Sequence, residues 1–248
     1  MDVHLEYYPY QSGNNFSQFL DQKLPRDDNL NDLHLKLTSP KLSNEDINTF
    51  FNRIRHLKVE SLNLSFNQLG DENMPYIVTG VTTNECIRRL ILNHNNIQDR
   101  GAEALAALMT DRRDLDIDLC DNKIGSDGGC NILRAVLQTY KRKLDLSQNK
   151  IGDDGAREMS NVLAGREVDL RELILRHNDI RSEGDAALAQ KVPSRVQIHY
   201  RTKTVSFYEA YPVLSILLVL IFFPSIFFLH LFKSEVYLEG CDHPRTAP

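Results

Sequence analysis

The stretch Leu144–Ala156, with the sequence LDLSQNKIGDDGA, is one complete copy of the pattern that decides the fold of this chain. Its first four residues alternate apolar and polar side chains, which predicts a short strand with one buried face. Asn149 follows at the strand end, and Ile151 and a Gly-Asp-Asp-Gly turn lead into a helix. Asp153 is placed to cap this helix, which is expected to begin near Gly155. The stretch therefore predicts a strand–turn–helix unit.

The same unit recurs at a nearly constant period, marked each time by an asparagine at the strand end. These asparagines are 27 to 29 residues apart: Asn67, Asn95, Asn122, Asn149 and Asn178. The agreement extends into the helix, where the tenth residue after each asparagine is apolar: Ile77, Leu105, Ile132, Met159 and Leu188. A further copy comes first, with Leu35 and Leu37 on its strand and Pro40 in place of the asparagine. The pattern therefore predicts six repeats.

The period and the LxLxxN pattern resemble those of leucine-rich repeats. The long repeat with a full helix resembles the ribonuclease-inhibitor subfamily, which also includes Ran GTPase-activating proteins and the sensing domains of innate immune receptors. This resemblance implies an α/β fold, a curved leucine-rich repeat solenoid with parallel strands on the concave side and helices on the convex side. It also implies a ladder in which each buried asparagine is hydrogen-bonded to the backbone of the adjacent repeats.

Changes in composition divide the chain into five expected segments. These are an N-terminal cap at 1–32, a leucine-rich repeat domain at 33–200 with six repeats and a closing strand, a polar linker at 201–209, a transmembrane helix at 210–232 and a short tail at 233–248. The cap contains aromatic residues such as Tyr7 and Phe16, and a short helix from about Ser17 to Leu24, which cover the open apolar end of the solenoid. Val196 and Ile198 indicate the closing strand.

The segment 210–232 predicts one transmembrane helix. It contains no Asp, Glu, Lys or Arg, and a helix of its length, at about 1.5 Å per residue, crosses a bilayer core of roughly 30 Å. The N-terminus has no basic region followed by an apolar run, so no signal peptide is expected. The arrangement resembles that of tail-anchored, single-pass proteins, with the N-terminal domain in the cytosol. The endoplasmic reticulum is the favoured membrane, and another organelle or the plasma membrane remains open.

Charge and motifs argue against several other functions. A formal net charge of −5 and a pI near 5.9 do not favour nucleic-acid binding. The sequence contains no P-loop, GxSxG, HExxH or dinucleotide fingerprint, and its Cys and His residues lack metal-ligand spacing. His94 and His177 each precede a repeat asparagine and are interpreted as part of the repeat. We therefore expect no enzyme activity, no catalytic or metal site and no small-molecule cofactor.

The strands predict where a protein partner binds. Side chains alternate along a strand, so the residues two, four and six positions before each asparagine face the concave side. Six of them form the expected binding surface: Arg89, Ile91, Asp116, Asp118, Asp145 and Ile174. Adjacent parallel strands lie about 4.8 Å apart, so the aspartates lie close together, with Lys143 offsetting part of their charge and the isoleucines exposed on either side. This arrangement favours a partner with Lys or Arg at its centre and apolar groups beside it.

Three functional classes remain open at this point. The first is a membrane-anchored scaffold or adaptor, whose concave face binds a protein partner. The second, by resemblance to the Ran GTPase-activating proteins, is a regulator of a small GTPase, for which Arg89 is the concave arginine of the early repeats. The third is a pathogen effector targeted to a host membrane. The first class needs only the concave surface, and it is the one that the residues favour.

Overall fold

The computed structural model describes residues 1–7, 15–25, 33–39 and 42–200, in which strands and helices alternate. The strands are β1 (Asp2–Glu6), β2 (Leu33–Thr38), β3 (Val59–Asn63), β4 (Arg89–Ile91), β5 (Asp116–Asp118), β6 (Lys143–Asp145), β7 (Glu172–Ile174) and β8 (Gln197–His199). The helices are α1 (Phe16–Lys23), α2 (Asn44–Ile54), α3 (Met74–Thr83), α4 (Asp99–Asp111), α5 (Ser126–Val136), α6 (Gly152–Leu163) and α7 (Ser182–Lys191), and a 3₁₀ turn at Asp71–Asn73 precedes α3. This is the α/β alternation of a curved leucine-rich repeat fold.

The core lies between the strands and the helices. Every hydrogen-bonded strand pair is parallel, and each helix packs against the next in chain order. Leucines of the strands point into the core, as Leu62, Leu90 and Leu173 show by being fully buried. The five helix residues predicted from the repeat period are also buried, each with at most 1% of its surface exposed. The repeat register predicted from the sequence is therefore confirmed on both the strand and the helix.

The asparagine ladder is present in every repeat that has the asparagine. All five side chains are at most 7% exposed. In the example of Asn149, the side-chain nitrogen donates to the carbonyl oxygen of Leu119 at 3.0 Å, and the side-chain oxygen accepts the N–H of Ile124 at 3.0 Å, both in the preceding repeat. The first rung reaches the copy that lacks an asparagine, where Ser39 N donates to Asn67 Oδ1 at 2.6 Å. Pro40 itself lies outside the described residues.

The N-terminal segment contains a strand that the sequence analysis did not predict. Strand β1 pairs in parallel with β2, with Leu5 opposite Leu37, and helix α1 follows close to the predicted bounds. The ring of Tyr7 packs against those of Phe16 and Phe19, with centroids 4.8 and 5.2 Å apart. The described part of this segment is thus a strand–helix unit of the same kind as the repeats. At the other end, the strand predicted at Val196 and Ile198 is β8, which pairs with β7.

The prediction that Asp153 caps its own helix is wrong. Its carboxylate accepts the backbone N–H of Arg181 at 2.7 Å and of Gly184 at 2.9 Å, so it caps α7, the helix of the next repeat. Helix α6 begins at Gly152 without a side-chain cap. Asp99 acts in the same way on α5, through the N–H groups of Gly125 and Gly128 at 2.7 and 3.0 Å.

These caps explain the glycines near the start of α5 and α7. A Cβ atom at Gly184 would lie 2.6 Å from the Asp153 carboxylate, and one at Gly128 would lie 2.6 Å from that of Asp99. A contact this short is a clash, so a side chain at either position would displace the capping carboxylate. The glycines are needed because a carboxylate of the preceding repeat approaches the backbone closely at that point.

The strands form two sheets rather than one. Strands β1 to β5 make a five-stranded sheet, strands β6 to β8 make a three-stranded sheet, and β5 does not pair with β6. Hydrogen bonds between these two repeats resume just past the strands, where Asp121 N donates to Ser147 O at 2.9 Å. Ile117 on β5 is only half-buried, whereas Leu90 at the equivalent position of β4 is fully buried. The stack is therefore continuous through its turns and open between these two strands.

The predicted transmembrane segment at 210–232 lies outside the described residues, as do the linker and the tail that flank it. Among the helices of the described ranges, none is both long enough and apolar enough to cross a bilayer.

Candidate protein-interaction face

The six residues predicted to bind a partner all lie on the central strands. In register, Arg89 on β4 stands opposite Asp116 on β5, and Ile91 stands opposite Asp118. Asp145 on β6 stands opposite Ile174 on β7. The structure therefore brings the residues together in two groups, which meet at the unpaired step between β5 and β6. Binding of a partner to them stays a prediction.

Ile91 departs from the expectation that it is exposed, since only 8% of its surface is accessible. It stands between Asn63 on β3 and Asp118 on β5, and at a strand spacing of about 4.8 Å these neighbours flank a branched side chain closely. Ile174 is half-buried. The apolar part of the predicted surface is thus smaller than the alternation of side chains suggests, and Ile174 presents more of it than Ile91.

The acidic side chains have a structural role that the sequence analysis missed. Asp145 accepts the backbone N–H of Ser147 at 2.9 Å and its hydroxyl at 2.5 Å, and Asp118 accepts the N–H of Cys120 at 3.2 Å. Asn63 makes the same turn with Ser65, with an N–H bond of 2.9 Å. An Asx residue two positions before the bonded N–H is the sequence signal for this turn. The turn fixes one oxygen of each carboxylate at the strand end.

The charge of Asp116 is compensated by a different lysine from the one expected. Lys141 forms an ion pair with Asp116, and its side chain is only 16% exposed. Lys143, the residue expected to offset the aspartates, lies 4.0 Å from Glu172 instead. The charge of Asp116 is therefore compensated by Lys141 and not by Lys143.

A row of residues with left-handed backbone runs along the strand ends. The residue before each repeat asparagine has a φ between 53° and 61°: Phe66, His94, Asp121, Gln148 and His177. The sequence analysis treated the histidines of this row only as part of the repeat. The structure shows that the ring of Phe66 stacks on that of His94, with centroids 4.1 Å apart and planes 14° apart, and that Nδ1 of His94 pairs with the carboxylate of Asp121.

The helix side carries a cavity of about 420 Å³, lined by α4, α5 and α6. Cys130 is one of its lining residues; it is almost fully buried, and its thiol donates to the carbonyl of Gly155 at 3.9 Å. Burial raises the pKa of the Cys130 thiol to about 11, so the thiol is protonated at neutral pH and a poor nucleophile. Within the described ranges, no group of three or more Cys, His, Asp or Glu residues is arranged to hold a metal ion.

Comparison with known proteins agrees with this architecture. A model of the leucine-rich repeat family matches residues 55–72, 83–106, 142–160 and 169–189. Each matched stretch overlaps strand or helix elements of the stack described above, and the asparagine ladder joins them. Over these stretches the chain is similar to leucine-rich repeat proteins.

One solved structure similar to this chain is an internalin, InlF, from Listeria monocytogenes strain 4b F2365. The two share 17% sequence identity with a TM-score of 0.43, over 82% of this chain and 48% of the internalin. The chain thus spans about half the length of that protein. No curated protein sequence matches the chain.

Proposed function

We propose that this protein is a membrane-anchored scaffold that binds a protein partner through its concave strand face. The observation that carries the proposal is the pair Asp118 and Asp145. They stand at equivalent positions of adjacent repeats, both half-buried, and each has one carboxylate oxygen fixed by the turn at its strand end. Two oriented carboxylates on one face complement a partner that presents lysine or arginine.

The repeat geometry supports a binding role in preference to catalysis. A stack of parallel strands presents a continuous surface whose residues are contributed by successive repeats, and such surfaces suit extended contacts with another chain. The proposal includes the subfamily: the long repeat with a full helix resembles that of the ribonuclease-inhibitor subfamily. Leucine-rich repeat domains generally bind protein partners.

Neutralising the two aspartates tests the binding face. Asp118→Asn with Asp145→Asn keeps an oxygen for the turn, as Asn63 does in the same chain, but removes both charges. We expect recovery of the partner from cells to fall about tenfold or more, because buried charge pairs at interfaces contribute several kcal/mol. The matched control, Glu103→Gln with Glu158→Gln, removes two exposed charges from the helices. Loss of partners in the control and retention in the strand variant would place the binding surface on the helices.

Anchoring is tested separately from binding. Removal of 210–248 is expected to move the repeat domain from the membrane fraction to the soluble fraction, since the deleted part contains the 23-residue predicted span, which has no Asp, Glu, Lys or Arg. Persistent sedimentation with membranes after the deletion would contradict an anchor at this position. The proposed location of the protein is the membrane of the endoplasmic reticulum, and imaging of the intact chain in cells tests this location.

The orientation across the membrane has its own readout. Asn15-Phe-Ser is a glycosylation sequon, and Asn15 is exposed at the start of α1, where its oxygen accepts the N–H of Gln18. A cytosolic repeat domain leaves Asn15 unmodified. A mass shift that is removed by an endoglycosidase and absent from Asn15→Gln would show a lumenal domain instead.

A further inference from the structure

The strand ends of three successive repeats carry a group that the proposed binding face does not use. We call Phe66, His94 and Asp121 the rim cluster. They occupy the position before the asparagine in the repeats of β3, β4 and β5. Gln148 and His177 occupy the same position in the next two repeats, with the same left-handed backbone.

Phe66 is costly to the folded chain at this position. Its φ of 61° lies in the left-handed region, which a bulky side chain rarely adopts. Phe66 is 56% exposed and is one of three large hydrophobic residues in the described ranges that are exposed. The equivalent Gln148 shows that the turn itself does not need an aromatic residue. An exposed ring on a strained backbone, which the fold does not require, points to contact with another molecule.

The rim cluster is held in a fixed arrangement before any ligand arrives. His94 is stacked on Phe66 on one side and paired through Nδ1 with Asp121 on the other. The side chain of Asp121 is 45% exposed, and that of His94 is 27% exposed. The surface therefore offers a flat apolar ring, an imidazole and a solvent-accessible carboxylate in a row across neighbouring repeats. A preformed row of this kind spares a ligand the cost of ordering it.

One side chain matches both ends of this row. The aliphatic stem of arginine covers an exposed ring, and its guanidinium is planar, weakly hydrated, stacks on aromatic groups and donates in a fork to a carboxylate. Lysine offers a point charge without the plane or the fork. We propose that the rim cluster binds an arginine side chain of the protein partner, within a basic segment that continues onto Asp118 and Asp145. This inference rests on the proposed function and names the chemistry of the partner.

The probe is N-acetylarginine amide, titrated into the full chain while the imidazole resonances of His94 are followed by NMR. His94→Gln assigns the resonance. We expect N-acetylarginine amide to cause saturable shifts of the His94 resonances. N-acetyllysine amide should bind more weakly, and the uncharged isostere N-acetylcitrulline amide should not bind. Asp121→Asn should weaken binding about tenfold, through loss of a charge-assisted bond. Phe66→Leu should weaken it about threefold, through loss of the aromatic face.

Gln148→Ala is the matched control, since it alters the same backbone position two repeats from His94 and should leave the affinity unchanged. Equal binding of the arginine and citrulline probes would overturn the proposal, as would affinity that is insensitive to both Phe66→Leu and Asp121→Asn. Because no partner is used, this failure is distinct from failure of the proposed function. If the probe does not bind but partner recovery still depends on Asp118 and Asp145, the concave face stands and the rim cluster is excluded.

Discussion

The two repeat boundaries on either side of strand β5 are built differently. At the first, β4 and β5 pair in parallel, with Leu90 opposite Ile117, and Asp99 caps the helix that follows. At the second, β5 and β6 are unpaired, and Ser126 occupies the position of Asp99, so that no carboxylate is available to cap α6.

Apart from the packing of α5 on α6, the backbone hydrogen bonds across the second boundary lie in its turns. The rung made by Asn149 crosses it, together with bonds such as Asp121 N to Ser147 O. Helix α6 also begins differently, through Gly152 at a φ of 63°, where the equivalent Gly125 of α5 has a φ of −91°. A glycine is what allows this conformation.

The comparison separates three kinds of coupling between repeats. Strand pairing, carboxylate caps and the asparagine ladder are combined at the first boundary, whereas the second keeps the ladder without the other two. In a linear array, stability is the sum of the repeats and their nearest-neighbour interfaces, so the chain opens first at its weakest interface. The boundary between β5 and β6 is therefore expected to open before its neighbours.

The largest expected effect comes from removing the rung at this boundary. Asn149→Ala leaves backbone groups of two repeats unpaired and should lower the free energy of unfolding by about 1–3 kcal/mol. Asn122→Ala, at the first boundary, should cost a similar amount. Only Asn149→Ala should also lower the urea m-value, because the two sides of the boundary then unfold separately. Indistinguishable m-values for the two variants in urea titrations would show that the boundaries are equally coupled.

A smaller effect is expected from the cap at the first boundary. Asp99→Ala removes the acceptor of two helix N–H groups and should cost about 1 kcal/mol, within the 0.5–2 kcal/mol typical of caps. Asp127→Ala is the control, since Asp127 is exposed in the first turn of α5 and its loss should change stability by less than about 0.5 kcal/mol. Thermal unfolding of the two variants gives the comparison, and equal losses would count against capping across repeats.

Cys130 reports on opening of the second boundary. Its thiol contacts Gly155 of α6, and its raised pKa of about 11 keeps it protonated at pH 8. Labelling by a thiol reagent should therefore be slow, rise with pH, and be faster in Asn149→Ala than in Asp99→Ala. Exposed Cys86 is the internal control and should react at the same rate in all variants. If Asn149→Ala does not change the labelling rate of Cys130, then exposure of this thiol does not depend on opening of the second boundary.

Because burial favours the neutral thiol, Cys130 also gives stability a pH dependence. Its folded pKa of about 11 lies above the ordinary value of 9.0, so the stabilisation is fully present below pH 9 and is lost as the pH rises toward 11. Cys130→Ala should lose this dependence while retaining those of other groups. Urea titrations of both proteins at pH 8 and pH 11 measure the difference.

The smallest expected effect involves Asp114, next to the first boundary. A side-chain hydrogen bond from Arg112 holds the pKa of Asp114 below its ordinary value, so the carboxylate stabilises the fold above that value and less as the pH falls through the lowered pKa. Asp114 is exposed, and Asp114→Asn should cost less than about 0.5 kcal/mol at pH 7. The difference from wild type should vanish near pH 2; a constant difference across this range would exclude a role for the charge.

The sequence predicts what a residue does inside its own repeat and is less informative about the next one. Periodicity predicted the buried leucines, the helix face and the asparagines, since each recurs at a fixed position. It assigned Asp153 to the wrong helix, because the bonded groups are 28 and 31 residues away. The burial of Ile91 depends likewise on side chains from adjacent repeats. The rim cluster depends on a left-handed backbone at Phe66, which a phenylalanine at this position does not predict.

The caps that cross repeat boundaries also give the stack a direction along the chain. Asp99 precedes α5 along the chain, and Asp153 precedes α7, so each carboxylate leaves the ribosome before the helix it serves. The first N–H groups of α5 and α7 are therefore bonded by a repeat that precedes them in the chain. The caps thus run from an earlier repeat to a later one, opposite to the asparagine rungs, in which a later side chain bonds to the repeat before it.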